Sequence, residues 1–262
     1  MTNFCDEGSK CSRVFIKCSR CNSTRQQRGV QPPQILLLSN STQYGYGYLD
    51  HAEKEIRQLL GAKATVAFVP YAMFDWDAYE SRARDRFGKM GYELESLHRW
   101  QGDADRLLRD SSAVFVGGGN TFRLIDRLHR HDLIGKIRAR VAEGMRYLGS
   151  SAGSIVAGPS IKTTKDMPVV EPPSFSALNL VPFHISPHYL DPDPNSKHMG
   201  ETQEERILQF LEENDGRVVG LRESGIVSVR HDGVRVLGSL SARLFQRGHA
   251  PWECSPGPLT WC

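Results

Sequence analysis

Short, nearly wholly apolar runs closed by turn-forming residues constrain this chain more than any other feature. They are Ile35-Leu36-Leu37-Leu38, Thr65-Val66-Ala67-Phe68-Val69, Ala113-Val114-Phe115-Val116 and the shorter Arg146-Tyr147-Leu148-Gly149. A strand that is apolar on both faces is covered on both sides, which is the habit of parallel sheets. Helical patterns lie between the runs. Leu49, Ala52, Ile56, Leu59 and Leu60 recur at helical spacing up to Gly61, and a polar helix is predicted from Asp75 to Met90, closed by Gly91. Leu94 to Leu97 reads as a weak strand. Further helices are predicted after Gly119-Asn120 through Leu128 and over 133–144. Strands alternating with helices predict a single-domain α/β fold. Its sheet is mostly parallel, with helices on both faces and the ligand site at the carboxyl ends of the strands.

The later chain changes character. Residues 158–200 are rich in proline and read as loop. A helix follows at 202–213, and strands are predicted near 217–221, 226–230 and 234–238. Asp232-Gly233 joins the last two as a C-terminal β-hairpin region. The expected organisation is an extension over 1–33, an α/β domain over 34–250 and a tail over 251–262.

Composition removes several classes. No run of 18 apolar residues exists, so a membrane-spanning helix is excluded. The six cysteines are Cys5, Cys11, Cys18, Cys21, Cys254 and Cys262, so the body has neither a disulfide framework nor a cysteine nucleophile. Residues 1–33 carry six basic and two acidic side chains, which leaves 27 basic against 28 acidic in the rest of the chain. The net charge of +3 therefore comes from the leader, and a nucleic-acid-binding face is not expected. The leader lacks a long apolar segment, so cytoplasm is the expected compartment, with mitochondria as the alternative. The Asn22-Ser23-Thr24 and Asn40-Ser41-Thr42 acceptors for glycosylation are accordingly set aside. Cys18-x-x-Cys21 has no second close pair to complete a zinc site.

The chemistry concentrates at two turns. Gly149-Ser150-Ser151-Ala152-Gly153 fits G-x-S-x-G, follows a strand and precedes the apolar Ile155-Val156-Ala157. In a nucleophile elbow the serine sits on a tight strand-to-helix turn with its hydroxyl clear of the sheet. The same pattern also serves as a small-residue turn that packs a helix onto a sheet. Gly117-Gly118-Gly119-Asn120 follows another buried strand, and its backbone N–H groups suit an oxyanion or a phosphate. Phe122 stands where a dinucleotide fingerprint needs its last glycine, and no Walker lysine follows, so no cofactor is expected. A serine nucleophile needs a base and an orienting carboxylate. Among nine histidines, His188 stands in a Pro-flanked loop after an apolar segment. His184, His188, Asp191 and His198 admit a metal reading but lack H-E-x-x-H, and no metal is assigned. Asp166, Asp191, Asp193 and Glu223 all remain candidates for the acid.

Taken together, the motifs resemble the peptidase E family, the α-aspartyl dipeptidases. The matching stretches are Leu36 to Thr42, Val116 to Phe122, Ser151-Ala152-Gly153, Thr164-Lys165-Asp166-Met167-Pro168, Ala177 to Leu180, Pro187-His188 and Gly200-Glu201-Thr202. The resemblance implies a class I glutamine amidotransferase-like fold in which serine replaces cysteine as nucleophile. It implies Ser151 as nucleophile, His188 as base, and either Asp166 or Glu223 as the third member. It places the oxyanion hole at the N–H groups of Gly119 and Ala152, and substrate contacts at Asn120, Glu201 and Arg206. The implied reaction is hydrolysis of Asp-Xaa dipeptides by a monomer or homodimer with a small peptide as its partner. Arg206 would face the aspartyl carboxylate, and Glu201 or Asp166 the free amine. Two rivals share the scaffold: a cyanophycinase-like hydrolase of β-aspartyl linkages and a non-catalytic small-molecule binder. Two departures stand out, namely Ser150 in place of a bulky residue before the nucleophile, and the leader with the altered tail.

Overall fold

The structure is a computed structural model that describes residues 33–100, 102–197 and 199–262. The leader, with its Cys18-x-x-Cys21 pair and the Asn22 acceptor, lies outside the described residues but for Pro33, and so does His198.

The strand β1 (Ile35–Leu38) is buried along its whole length. Ile35 and Leu37 point into one apolar core, Leu36 and Leu38 into another. That two-sided burial is what a four-residue apolar run demands. The helix α1 (Glu53–Leu60) follows and stops at Gly61, then β2 (Thr65–Val69), α2 (Trp76–Lys89) and β3 (Glu93–Ser96). Leu97 does not extend β3 but opens a 3₁₀ turn, Leu97–Arg99. After it come α3 (Ala104–Asp110), β4 (Ala113–Val116), α4 (Thr121–Arg130), α5 (Leu133–Ala142), β5 (Arg146–Ser150) and the short α6 (Ala152–Ile155). The chain continues through β6 (His184–Pro187), α7 (Gln203–Glu213), β7 (Arg217–Leu221), β8 (Ile226–Arg230), β9 (Gly233–Leu237), β10 (Ala242–Gln246), β11 (Trp252–Cys254) and β12 (Gly257–Pro258).

Eight strands form the main sheet in the order β12-β9-β8-β1-β5-β4-β2-β3. The five from β1 to β3 run parallel, while β8, β9 and β12 each pair antiparallel. Helices α1 and α2 cover one face; α3 to α6 cover the other. A second sheet has the order β11-β10-β7-β6. Val219, Leu221, Ala242 and Leu244 of this sheet join the main core, while Val218 and Phe245 turn to α7. The two sheets thus share one apolar interior. No helix among the described residues is long and apolar enough to cross a membrane.

The second sheet departs most from the sequence reading. Residues 158–200 contain β6, a strand whose sequence, His-Ile-Ser-Pro, carries almost no strand signal. It lies at the edge of its sheet, where proline is tolerated. The segment read as a tail supplies β11 to the second sheet and β12 to the main one.

Candidate active site

The carboxyl ends of β1 and β5 meet where Leu38 pairs with Ser150. The next residue, Ser151, has φ 51° and ψ −111°. A non-glycine residue there costs about 1–3 kcal/mol and persists only where its surroundings hold it. Two glycines make the turn feasible. A Cβ on Gly153 would fall on the Val116 carbonyl oxygen, and one on Gly149 would stand 2.5 Å from the Gly153 carbonyl oxygen. Tyr147 donates its hydroxyl to the Gly153 carbonyl at 2.6 Å, and Ser154 donates to the Leu38 carbonyl at 2.7 Å. The Ser151 hydroxyl stays clear of this packing, half-buried at the N-terminus of α6.

His188 follows β6 directly and has φ 52°. Its Nε2 lies 2.9 Å from Ser151 Oγ, and its Nδ1 lies 3.1 Å from Glu223 Oε1. Glu223 belongs to the turn between β7 and β8, beside Ser224 with φ 66°. The chain Ser151–His188–Glu223 therefore draws on both sheets and on the turn that joins them.

The residues just beyond β1 tie these three segments together. The Leu38 carbonyl accepts the Ser151 N–H at 3.0 Å. The Ser39 hydroxyl accepts the His188 N–H at 2.8 Å and donates to the Leu221 carbonyl at 2.8 Å. Asn40 Oδ1 accepts the Ser224 N–H at 2.9 Å. Ser39 and Asn40 are both buried. Neither was picked out as a site residue from sequence; their signal is two polar residues directly after a fully apolar strand.

Gly118 backs onto Ser151, and Gly119 onto Ala72. A Cβ on Gly118 would stand 3.0 Å from Ser151 Cβ, and Gly119, at φ 133°, occupies backbone space open mainly to glycine. Among the described residues no backbone carbonyl pairs with the N–H of Gly119 or Ala152. The Ala152 N–H is one of the free donors at the start of a helix.

The other residues singled out from sequence fall elsewhere. Among the described residues no hydrogen bond or ion pair joins Asp166 to His188. Its Oδ2 accepts the Thr121 N–H at 2.7 Å and the Thr121 hydroxyl at 2.6 Å, at the N-terminus of α4. Asn120 caps the same helix, accepting the Arg123 N–H at 3.0 Å and donating to the Met167 carbonyl at 2.9 Å. Both ends of its amide are engaged by backbone. Glu201 and Arg206 pair with each other at 3.5 Å on the solvent side. Arg206 also borders a cavity of about 230 Å³ shared with Lys165, Asp166, Ser186 and Gln203. Ser150 is fully buried, with its hydroxyl unpartnered among the described residues.

Two residues of the metal reading, whose His198 lies outside the described residues, have other partners. His184 Nδ1 faces the Ser160 carbonyl at 3.3 Å, and Asp191 belongs to Arg222, which holds it at 2.5 Å and 2.8 Å. Among the described residues one group has metal-ligand spacing: Asp77, Glu80 and His98, beside the edge strand β3. Arginines fill it, since Arg99 meets Asp77 at 2.7 Å and Glu80 at 2.9 Å, and Arg84 also bonds Glu80.

Residues 35–237 match the model of peptidase family S51. A peptidase E from Streptomyces coelicolor is 51% identical over 223 residues, which cover 85% of this chain and 91% of that protein. A probable alpha-aspartyl dipeptidase from Drosophila melanogaster is 45% identical over 225 residues, or 85% of this chain and 93% of the other. The crystal structure of a putative peptidase E from Listeria monocytogenes superposes with a TM-score of 0.60 at 24% identity, covering 78% of this chain and 98% of that one. That likeness concerns the fold.

Proposed function

The chain belongs to peptidase family S51, and from that premise we propose that it is a serine dipeptidase hydrolysing dipeptides with an N-terminal aspartate. The observation that carries the reading is the unbroken chain from Ser151 Oγ to His188 Nε2 and from His188 Nδ1 to Glu223 Oε1. Ser151 Oγ attacks the carbonyl carbon of the aspartyl residue as its proton passes to His188 Nε2. Glu223 holds the ring by Nδ1–H and stabilises the imidazolium. The oxyanion turns to the N–H groups of Gly119 and Ala152, and such donors are each worth about 3 kcal/mol in comparable sites. As the C–N bond breaks, His188 returns the proton to the leaving amine. A water then attacks the acyl-serine, giving its proton to His188, and aspartate leaves as Ser151 regains its hydrogen.

Asp166 acts one step back from this chemistry. By holding Thr121 it fixes the start of α4 and with it the Gly119-Asn120 turn. Of the two acids proposed for the substrate's free amine, Asp166 lines the cavity of about 230 Å³ and Glu201 is paired with Arg206. The two described cysteines, Cys254 and Cys262, are free thiols, which suits a reducing compartment such as the cytoplasm.

The test is hydrolysis of Asp-Leu, Glu-Leu and a β-aspartyl dipeptide by the purified protein and by Ser151→Ala. Cleavage of Asp-Leu, abolished in the variant, supports the reading. Cleavage of the β-linked peptide alone replaces it with the cyanophycinase-like one. A folded protein that binds Asp-Leu without turnover leaves a binding protein.

A further inference from the structure

An enzyme that selects aspartate needs a cation for the substrate's side-chain carboxylate. Three cations border a small cavity whose wall includes Ser186, two residues before His188. Lys162 donates to Asn214 Oδ1 at 2.7 Å. Arg206 is paired with Glu201. Lys165 differs from both. Its Nζ donates to the His188 carbonyl at 3.0 Å, and among the described residues it has no carboxylate partner. An ammonium carries three donors, and here one is spent on a neutral oxygen. The remaining donors have no other hydrogen-bond partner among the described residues, on the carbonyl side of His188, the residue whose ring meets Ser151.

The surroundings fit a short anionic side chain. Thr163, Thr164, Ser186 and Gln203 make much of the wall polar, the carboxylate in it, Asp166, is held by Thr121, and the volume of about 230 Å³ is small. Gln203 is itself engaged, donating to Ser186 Oγ at 2.9 Å and accepting the Leu190 N–H at 3.0 Å, so it leaves the anion to a neighbour. Lys165 remains open to solvent, as a group that meets a ligand must. Partial loss of water around the ammonium lowers its pKa below the ordinary lysine value, and the nearby Arg206 adds to this against the pull of Asp166 and Glu223. An arriving carboxylate supplies the ion-pair partner that Asp166 and Glu223 do not provide.

We propose that Lys165 is the specificity-determining cation that receives the side-chain carboxylate of the substrate's N-terminal aspartate. The proposal rests on the dipeptidase reading above. It assigns Arg206 to Glu201 and makes it secondary in substrate recognition.

The experiment compares the unsubstituted enzyme with Lys165→Met, Lys165→Arg and Arg206→Met on Asp-Leu. Affinity for Asp-Leu and for its C-terminal amide is measured in parallel by calorimetry on Ser151→Ala with and without Lys165→Met. The expected result is a fall of about 10- to 100-fold in kcat/KM for Lys165→Met, the scale of one charge-assisted hydrogen bond at a partly solvated site. The fall is expected mostly in KM, with a matching loss of affinity for both ligands. Lys165→Arg, which keeps the charge, is expected to retain most activity and shows that the position tolerates substitution. A drop in kcat with unchanged affinity overturns the proposal, because it leaves Lys165 only to position His188. An affinity loss confined to the free acid also overturns it, by assigning Lys165 to the dipeptide's C-terminus. A larger loss in Arg206→Met than in Lys165→Met returns the role to Arg206. Inactivity of the unsubstituted enzyme on Asp-Leu instead refutes the dipeptidase reading itself.

Discussion

Replacing Glu223 by glutamine tests the assignment of the third catalytic member most directly. The substitution keeps shape and hydrogen-bonding capacity and removes only the charge facing His188 Nδ1 at 3.1 Å. Its cost follows from exposure. The Glu223 side chain is 54% exposed and that of His188 is 40% exposed, so water screens the pair. Charges about 4 Å apart attract by about 4 kcal/mol at an effective dielectric of 20 and by about 1 kcal/mol in bulk water. A half-exposed pair falls between these limits, near 2 kcal/mol, or about 30-fold in kcat/KM. Rates of Asp-Leu hydrolysis for Glu223→Gln, measured by separation of free aspartate, are expected to fall by that factor, mainly in kcat. Salt gives an independent check. At 1 M ionic strength the screening length shrinks to about 3 Å, so the unsubstituted enzyme is expected to lose activity that the variant no longer has to lose. A change below about threefold would show that Glu223 does not support the imidazolium. A loss near 10⁴-fold, the scale of a buried orienting carboxylate, would contradict the solvated geometry.

Four other outcomes follow from the same contacts. Ser39→Ala leaves the His188 N–H and the Leu221 carbonyl without their buried partner, so kcat is expected to fall with little change in KM and stability by about 1–3 kcal/mol, read by denaturant titration. Asp166→Asn removes a charge from the N-terminus of α4, and a stability loss of about 1–2 kcal/mol with a salt-independent loss of activity is expected, in contrast to Glu223→Gln. Gly153→Ala sets a methyl group against the Val116 carbonyl oxygen, and overpacking of about 1–3 kcal/mol is expected to appear as a lower Tm together with lost turnover. Burial pushes the Tyr71 hydroxyl up to about 12 and raises Tyr147 and Tyr48 as well, so the folded state holds them neutral. That stabilisation is complete below the ordinary tyrosine value near 10 and is lost as pH rises toward 12; absorbance of tyrosinate near pH 11 is expected to count fewer groups than the eight tyrosines until the chain unfolds.

The main sheet was legible because β1, β2 and β4 are almost wholly buried on both faces and announce this in four or five consecutive apolar residues. The second sheet was only half legible. Its strand β7 is apolar, but β6 is written His-Ile-Ser-Pro and gains its place from the neighbours that cover it. The strands β11 and β12 are three and two residues long, too short for any period to show. The same contrast holds within the site. Ser151 stands in a local pattern, a strand followed by small residues, and such a pattern is visible from one end of the chain to the other. The orienting acid is not a local property. Asp166 and Glu223 both sit in turns with comparable neighbours, and only the parallel pairing of β6 with β7 brings Glu223 rather than Asp166 to His188.

Backbone strain explains why the polar residues beyond β1 matter. Ser151, His188 and Ser224 each have positive φ without being glycine, and they are the proposed nucleophile, the proposed base and the neighbour of the proposed acid. Each such conformation costs about 1–3 kcal/mol, so something must hold all three at once. The holders are the Leu38 carbonyl, the Ser39 hydroxyl and the Asn40 amide oxygen, successive residues on one strand end. Their partners lie 149 positions away for Ser39 and 184 for Asn40, which is why the sequence shows Ser39-Asn40 only as polar residues after an apolar run. Being buried, the two side chains cannot satisfy themselves with water, and each is better paired with these backbone N–H groups than left alone. The strain of the Ser151, His188 and Ser224 turns and the burial of Ser39 and Asn40 are therefore resolved by the same hydrogen bonds. One strand end fixes Ser151, from the first sheet, against His188, from the second.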